Sequence, residues 1–207
     1  MRKARQKQIF LVVEIKRGRF LATACGEDGA PLLEYERAEN ISVEPESDIR
    51  AFVLECQTAL EKPNTQIRLG VVAKDAKSAE CIKCDRAEDE NALIRAELSR
   101  ISGNGTALLL EIGEVTRTVL AIGASCTEGA CAQDAGVEEI AEHIFSLCSL
   151  VHVDAVIIEA VGKYANDGVA VSKLLKNKLG TLTRIHMLER TSLAASAMMR
   201  KLSDQKY

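Results

Sequence analysis

Gln8–Gly29, QIFLVVEIKRGRFLATACGEDG, decides the fold. An uninterrupted apolar run, Ile9 to Val13, reads as a strand covered on both faces. The polar segment Glu14-Ile15-Lys16-Arg17-Gly18-Arg19 turns the chain, Phe20 to Cys25 returns as a second strand, and Glu27-Asp28-Gly29 closes it. The pattern comes a second time at Thr106–Gly129, TALLLEIGEVTRTVLAIGASCTEG. Both copies carry an apolar run ending in Glu-Ile, a polar turn, a Leu-Ala strand and a further turn. Glu14-Ile15 and Glu111-Ile112, Leu21-Ala22 and Leu120-Ala121, and Leu93 and Leu193 are all separated by close to 100 residues. That period is too long for a solenoid and points to an internal duplication in tandem.

Composition narrows the function classes. At 207 residues, 47% hydrophobic and 28% charged, the chain can bury a sizeable core as one large or two smaller domains. Aromatic residues make up 3% and there is no Trp, so the core is aliphatic and stacking on sugars or bases is disfavoured. The net charge is −3, and outside the basic tail Arg2-Lys3-Ala4-Arg5-Gln6-Lys7 the cations are dispersed, which argues against nucleic acid as a partner. No apolar segment reaches the roughly 18 residues of a membrane span, and the run after the basic start is broken by Glu14, unlike a signal peptide. The expected location is the cytoplasm. The seven cysteines are an odd number scattered among apolar residues, the pattern of reduced core thiols. Cys81–Cys84 has CxxC spacing and pairs formally with Cys126 and Cys131 as a four-thiolate zinc site, but the context is strand-like and no metal is assigned.

Taken in order, Pro31 to Tyr35 completes a three-stranded meander, and Asn40 to Glu44 is a polar link. A helix starts at Pro45, with Glu46 and Asp48 in its first turn and the stripe Ile49, Phe52, Val53, Cys56 and Leu60 on one face. Lys62-Pro63-Asn64 stops it. Ile67 to Ala73 is a parallel, central fourth strand, Glu80 to Cys84 a short fifth, and Glu88 to Ile101 a helix ended by Gly103-Asn104-Gly105. The second half repeats the meander over Thr106–Ile112, Arg117–Ala124 and Cys126–Gln133. A helix over Val137–Val151, a strand over Val153–Glu159, a helix over Gly168–Leu179, a strand over Thr181–Leu188 and a closing helix over Thr191–Leu202 follow. The expected division is a basic tail, residues 1–7, and two subdomains, 8–104 and 105–207.

Two tandem β-β-β-α-β-(α)-β-α halves, each an α/β unit with a mixed sheet flanked by helices, resemble the actin, sugar kinase and heat-shock ATPase superfamily, whose domains are ribonuclease H-like. Within it the chain is most similar to the ROK family of sugar kinases and repressors. That family opens on D-I-G-G-T-K, a strand and a D-x-D-G-like turn, matched by Glu14–Arg19, Phe20–Cys25 and Gly26–Gly29. Its catalytic segment N-D-A-N-A-A-A-L-A-E is similar to Glu88-Asp89-Glu90-Asn91-Ala92-Leu93-Ile94-Arg95-Ala96-Glu97, and its second phosphate turn to Glu111-Ile112-Gly113-Glu114-Val115-Thr116.

The resemblance implies Mg-ATP in a cleft between lobes, with Asp89 as general base and Glu14 and Glu111 holding Mg²⁺ through water. It places Lys16, Arg17, Gly18, Gly113 and Thr116 at the phosphates, and Glu159 and Gly162 near the adenosine. The departures point the other way. Lys16 and Arg17 stand where glycines let backbone approach a phosphate, though their charge suits an anion, and Glu114 puts a carboxylate beside the second phosphate turn. Glu159-Ala160 replaces paired glycines, and the family's G-E-x-G-H segment and C-x-C-G-x-x-x-C zinc loop have no counterpart. The plain alternatives are a helix-start carboxylate for Asp89, strand-end acids for Glu14 and Glu111, and a solvated turn for Lys16 and Arg17.

The expectation is a degenerate, ROK-like protein, a pseudokinase that acts as a ligand-sensing or transcriptional-regulator-like module. It would have no confident cofactor, an anion or small molecule in its interdomain cleft, lobes hinged near Gly103–Gly105, and possible homodimerisation. The alternatives are a divergent ATP-dependent sugar kinase and a self-associating actin-like scaffold. No DNA-binding segment of the repressor branch is recognised.

Overall fold

The computed structural model describes residues 6–16, 19–38, 45–74, 82–103, 105–113, 115–123, 125–131, 135–188 and 191–204. The elements are β1 (Lys7–Lys16), β2 (Arg19–Gly26), β3 (Pro31–Ala38), α1 (Pro45–Leu60), β4 (Thr65–Ala73), β5 (Arg86–Asp89), α2 (Glu90–Ser102), β6 (Thr106–Ile112), β7 (Arg117–Ile122), β8 (Ser125–Ala130), α3 (Val137–Leu150), β9 (Ala155–Ala160), α4 (Ala165–Leu179), β10 (Arg184–Leu188) and α5 (Leu193–Asp204). They form two five-stranded sheets, ordered β3-β2-β1-β4-β5 and β10-β9-β6-β7-β8. Read from the meander edge, the two orders are the same. In each, the meander is antiparallel and the crossover strand, β4 or β9, lies parallel to the first strand.

The chain divides into two compact units, residues 1–93 with 194–207, and residues 94–193. By contacts α2 is shared between the two units, and almost all of α5 belongs with the first.

In the first unit the meander's apolar runs bury one face against α1. Leu11, Val13, Phe20 and Ala24 on the strands meet Ile49, Phe52, Val53, Cys56 and Leu60, the stripe expected from helical spacing. Phe52 is fully buried, stacked 5.5 Å from Tyr35 and the same distance from Phe20. Burying such a side chain contributes roughly 1.5–3 kcal/mol. On β4, Gly70 admits α5: a Cβ there would lie 2.6 Å from Met198 Cγ. The small residues of that helix, Ala194, Ala195 and Ala197, are at most 2% exposed, as a close-packed helix on a sheet requires. Buried Arg68 on β4 donates to the Leu202 carbonyl at 2.9 Å and fixes the end of α5.

In the second unit, Leu108 and Leu110 of β6 and Val156 and Ile158 of β9 pack with Ile140 and Ile144 of α3 and Val171 and Leu175 of α4. Gly168 lets α4 approach β9, since a Cβ would meet that of Ala160 at 2.5 Å.

The fifth strand differs most from the sequence reading, while β3, β8, α4 and β10 keep their places with ends shifted by up to three residues. Residues 82–85 are not strand; residues 80 and 81 lie outside the described set, as do the link at 40–44, most of the loop at 74–79 and residues 132–134. The fifth strand is Arg86–Asp89, paired with β4 from Gly70↔Arg86 to Ala73↔Asp89, and the following helix starts at Glu90. Three of its four residues are charged, which hides it from an apolar-run criterion. It is tolerated at an edge because Glu88 accepts from both Arg86 and Lys201 of α5. No helix among the described residues is long and apolar enough to cross a membrane.

Candidate functional site

In the first unit, strand alternation places Glu14 and Lys16 on one face of β1. The Glu14 side chain is 3% exposed and its Oε2 lies 3.5 Å from Lys16 Nζ. The same ammonium stands 3.4 Å from Oε1 of Glu90, the first residue of α2, whose side chain is also 3% exposed. Lys16 therefore bridges two buried carboxylates. An ammonium between them offsets part of the cost of taking two acids from water. Arg17 and Gly18, the other first-turn candidates, lie outside the described residues.

Asp89 ends β5 and accepts the Ala92 N–H at 2.8 Å. It satisfies one of the orphan donors of the first turn of α2, the work of an N-cap carboxylate.

The second unit solves the equivalent strand end differently. Glu111 on β6 faces Arg117 on β7 as a direct register partner. The guanidinium grips the carboxylate at two points, Nη2 donating to Oε1 at 3.0 Å and Nε lying against Oε2. On its other side Glu111 is the register partner of Glu159 on β9. Glu159 is buried, and its Oε2 accepts the Leu193 N–H at 2.9 Å, capping α5. The acid on the strand expected near adenosine is thus spent on a helix terminus.

Gly113 and Thr116 flank the turn between β6 and β7, and Glu114 between them is outside the described residues. Thr116 is buried, and its carbonyl accepts the Cys131 N–H at 3.0 Å. At Gly113 the nearest neighbour of a Cβ would be the Val115 carbonyl oxygen at 3.8 Å, so nothing in the fold demands glycine there. Gly162 follows β9 with φ of 66°, a left-handed conformation that does favour glycine.

Each unit gathers part of the expected set. Glu14 and Lys16 meet in the first, with Asp89 beside their partner Glu90 in sequence, and Glu111 and Glu159 are neighbours in the second. Sequence reasoning missed Glu90 and Arg117. Arg117 carried a legible signal, because Glu111 and Arg117 are equidistant from Glu114 at the turn centre, and an antiparallel hairpin with that centre pairs them. Glu90 carried none without the register of β5.

Magnesium does not fit these acids as they stand. A divalent ion at Glu14 or Glu111 would have to compete with an ammonium or a guanidinium already in place. Cys126 and Cys131 have thiols pushed up by burial, and Cys81 of the CxxC lies outside the described residues. Among the described residues no three His, Cys, Asp or Glu side chains converge on a metal position.

No protein-family model matches the chain. No curated protein matches it either. Solved structures do, at the level of fold. Ethanolamine utilization protein EutJ from Carboxydothermus hydrogenoformans is 9% identical with a TM-score of 0.57, over 92% of this chain and 89% of that one. A ROK family glucokinase from Streptomyces griseus, solved with glucose and AMPPNP, is 12% identical with a TM-score of 0.57, over 96% and 100%. Component A of (R)-2-hydroxyglutaryl-CoA dehydratase from Acidaminococcus fermentans is 11% identical with a TM-score of 0.57, over 95% and 99%. At these identities the likeness establishes the fold: two actin-like ATPase domains, each a mixed five-stranded sheet with helices.

Proposed function

We propose that the chain is an actin-fold, ROK-like protein that does not transfer phosphoryl groups and works as a ligand-sensing or regulatory module. The observation that carries this reading is the neutralisation of both strand-end acids within their own units, Glu14 by Lys16 and Glu111 by Arg117. Carboxylates that must organise a metal and phosphates need to be available to them; these are held by cations of the chain itself. Asp89 as a helix cap and Glu159 as the cap of α5 add to the same reading. Fold analogy with a glucokinase does not by itself bring its chemistry to this chain.

The test is turnover. Incubated with Mg-ATP and a panel of hexoses, the protein is expected to release ADP at the rate of a no-enzyme blank. Sugar-dependent ADP release that disappears in Asp89→Asn would instead establish the divergent kinase, with Asp89 as its base.

A further inference from the structure

In the second unit β8 is an edge strand of its sheet, and the register of its hairpin fixes which of its backbone groups face outward. The Cys131 N–H donates to the Thr116 carbonyl at 3.0 Å, so these two residues face each other as a hydrogen-bonded pair at the end of β8. The facing alternates along an antiparallel strand. Ser125, Thr127 and Gly129 therefore turn their N–H and C=O groups toward Ile122, Leu120 and Thr118 of β7. Cys126, Glu128 and Ala130 turn theirs to the open edge, where no further strand pairs among the described residues. An unpaired edge of this kind is a template for another strand.

The equivalent edge of the first sheet, β3, is guarded. It opens on Pro31, shifts register opposite Ala24 and Cys25, and carries Glu34, Glu36 and Arg37. β8 has no proline and no shift of register, Glu128 is its only charge, and its other side chains are small. Pairing with a second copy is restricted by symmetry. About a two-fold normal to the sheet, outward-facing residues must meet outward-facing residues. Within Ser125–Ala130 the longest overlaps of that kind centre on Thr127 or on Glu128, and the latter opposes Glu128 to itself, which is unfavourable. Centred on Thr127, Cys126 meets Glu128 on either side of the axis, Ser125 meets Gly129, and Thr127 meets its own copy. Charge favours the same register. Burial pushes the Cys126 thiol up, the Arg95 guanidinium of α2 pulls it back, and Glu128 adds to the rise. Arg95 thus stands within electrostatic reach of Cys126, the position that Glu128 of a second copy would face.

We propose that β8 pairs antiparallel with β8 of a second copy about a two-fold axis at Thr127, joining the two sheets edge to edge, with Arg95 of each copy meeting Glu128 of the other. Backbone hydrogen bonds between Cys126 and Glu128 supply the attraction, and the Arg95–Glu128 pairs fix the register. The pairing uses residues of the second unit alone and does not rest on the phosphoryl-transfer reading.

Sedimentation equilibrium of the full chain, from micromolar to millimolar protein, reads the dimer. Glu128→Pro removes an outward N–H and leaves the bonds to β7 in place, so dimerisation is expected to weaken roughly tenfold or more with an unchanged circular dichroism spectrum. Glu128→Lys and Arg95→Glu should each weaken it several-fold, and the two together should recover most of the loss. Thr127→Cys sets thiols of the two copies opposite each other with Cα atoms about 4.5 Å apart, so diamide should link it into a disulfide dimer on a non-reducing gel. Ser125→Cys, which faces Gly129, should link no more than the wild type does. The proposal is overturned by a monomer at millimolar protein, by a dimer that Glu128→Pro leaves intact, by a charge swap that recovers nothing, or by equal linking at the two cysteine positions. It is also overturned if the protein stays monomeric and its Cys126 and Glu128 amide signals shift with an added Thr-Val repeat peptide, which would give the edge to the strand of a different protein.

Discussion

Glu14 and Glu111 hold the same place in the two sheets, two residues and one residue before their strands end, and each is neutralised by a different route. In the first unit the cation comes from the same strand, Lys16, and serves a second acid, Glu90, brought by a helix. In the second it comes across the hairpin: Arg117 Nη2 donates to Glu111 Oε1 at 3.0 Å. The first arrangement is buried, with both acid side chains 3% exposed. The second is more open, with side chains 13% and 22% exposed. The position keeps its acid and finds a cation by whatever local register offers one. That pattern suits an internal structural role better than metal binding.

The comparison can be broken most sharply at Lys16. Lys16→Met removes the ammonium shared by two buried acids, and a loss of roughly 3–5 kcal/mol in chemical denaturation is expected. Adding Glu90→Gln should recover a measurable part of it, and a cycle showing no coupling would deny the bridge. Arg117→Met in the second unit should cost less, about 1–3 kcal/mol, because water can reach the released Glu111 carboxylate. If Arg117→Met proved the more damaging of the two, the contrast in burial would be misplaced.

A smaller effect is expected at Glu88. Burial pushes its carboxyl up, but hydrogen bonds and charge from Lys201 and Arg86 outweigh burial and hold it below the ordinary value. A depressed folded pKa contributes stability that is present above the unfolded value, near about 4.3, and is lost as pH falls through the lower folded value. Glu88→Gln should therefore flatten the acid limb of a stability–pH curve below that point and leave its slope near neutrality unchanged. The smallest effect is expected from Leu150→Ser and Leu182→Ser, whose exposure should keep stability changes within about 0.5 kcal/mol.

Much of this architecture was legible because its signals are local. The α1 stripe follows from spacing, the meanders from apolar runs broken by turns, and the parallel β4 from a continuous run after a helix. β5 was not, because a charged edge strand is made acceptable by Lys201, over a hundred residues away. The attachment of α5 to the first sheet was hidden for the same reason: Gly70 and Arg68 receive it only once the chain has folded back. Of the candidate site, the Glu14–Lys16 pair could be read from strand alternation. The second carboxylate on Lys16 and the capping role of Glu159 required the register of strands and helices distant in sequence.

The central claim is that the acids at the two hairpins serve the protein's own cations and not a nucleotide's magnesium. Thermal unfolding with and without millimolar Mg-ATP tests it most directly, since a ligand bound only by the folded state must raise the melting temperature by mass action. The account predicts coincident curves. A rise of several degrees that requires both magnesium and the triphosphate would contradict it.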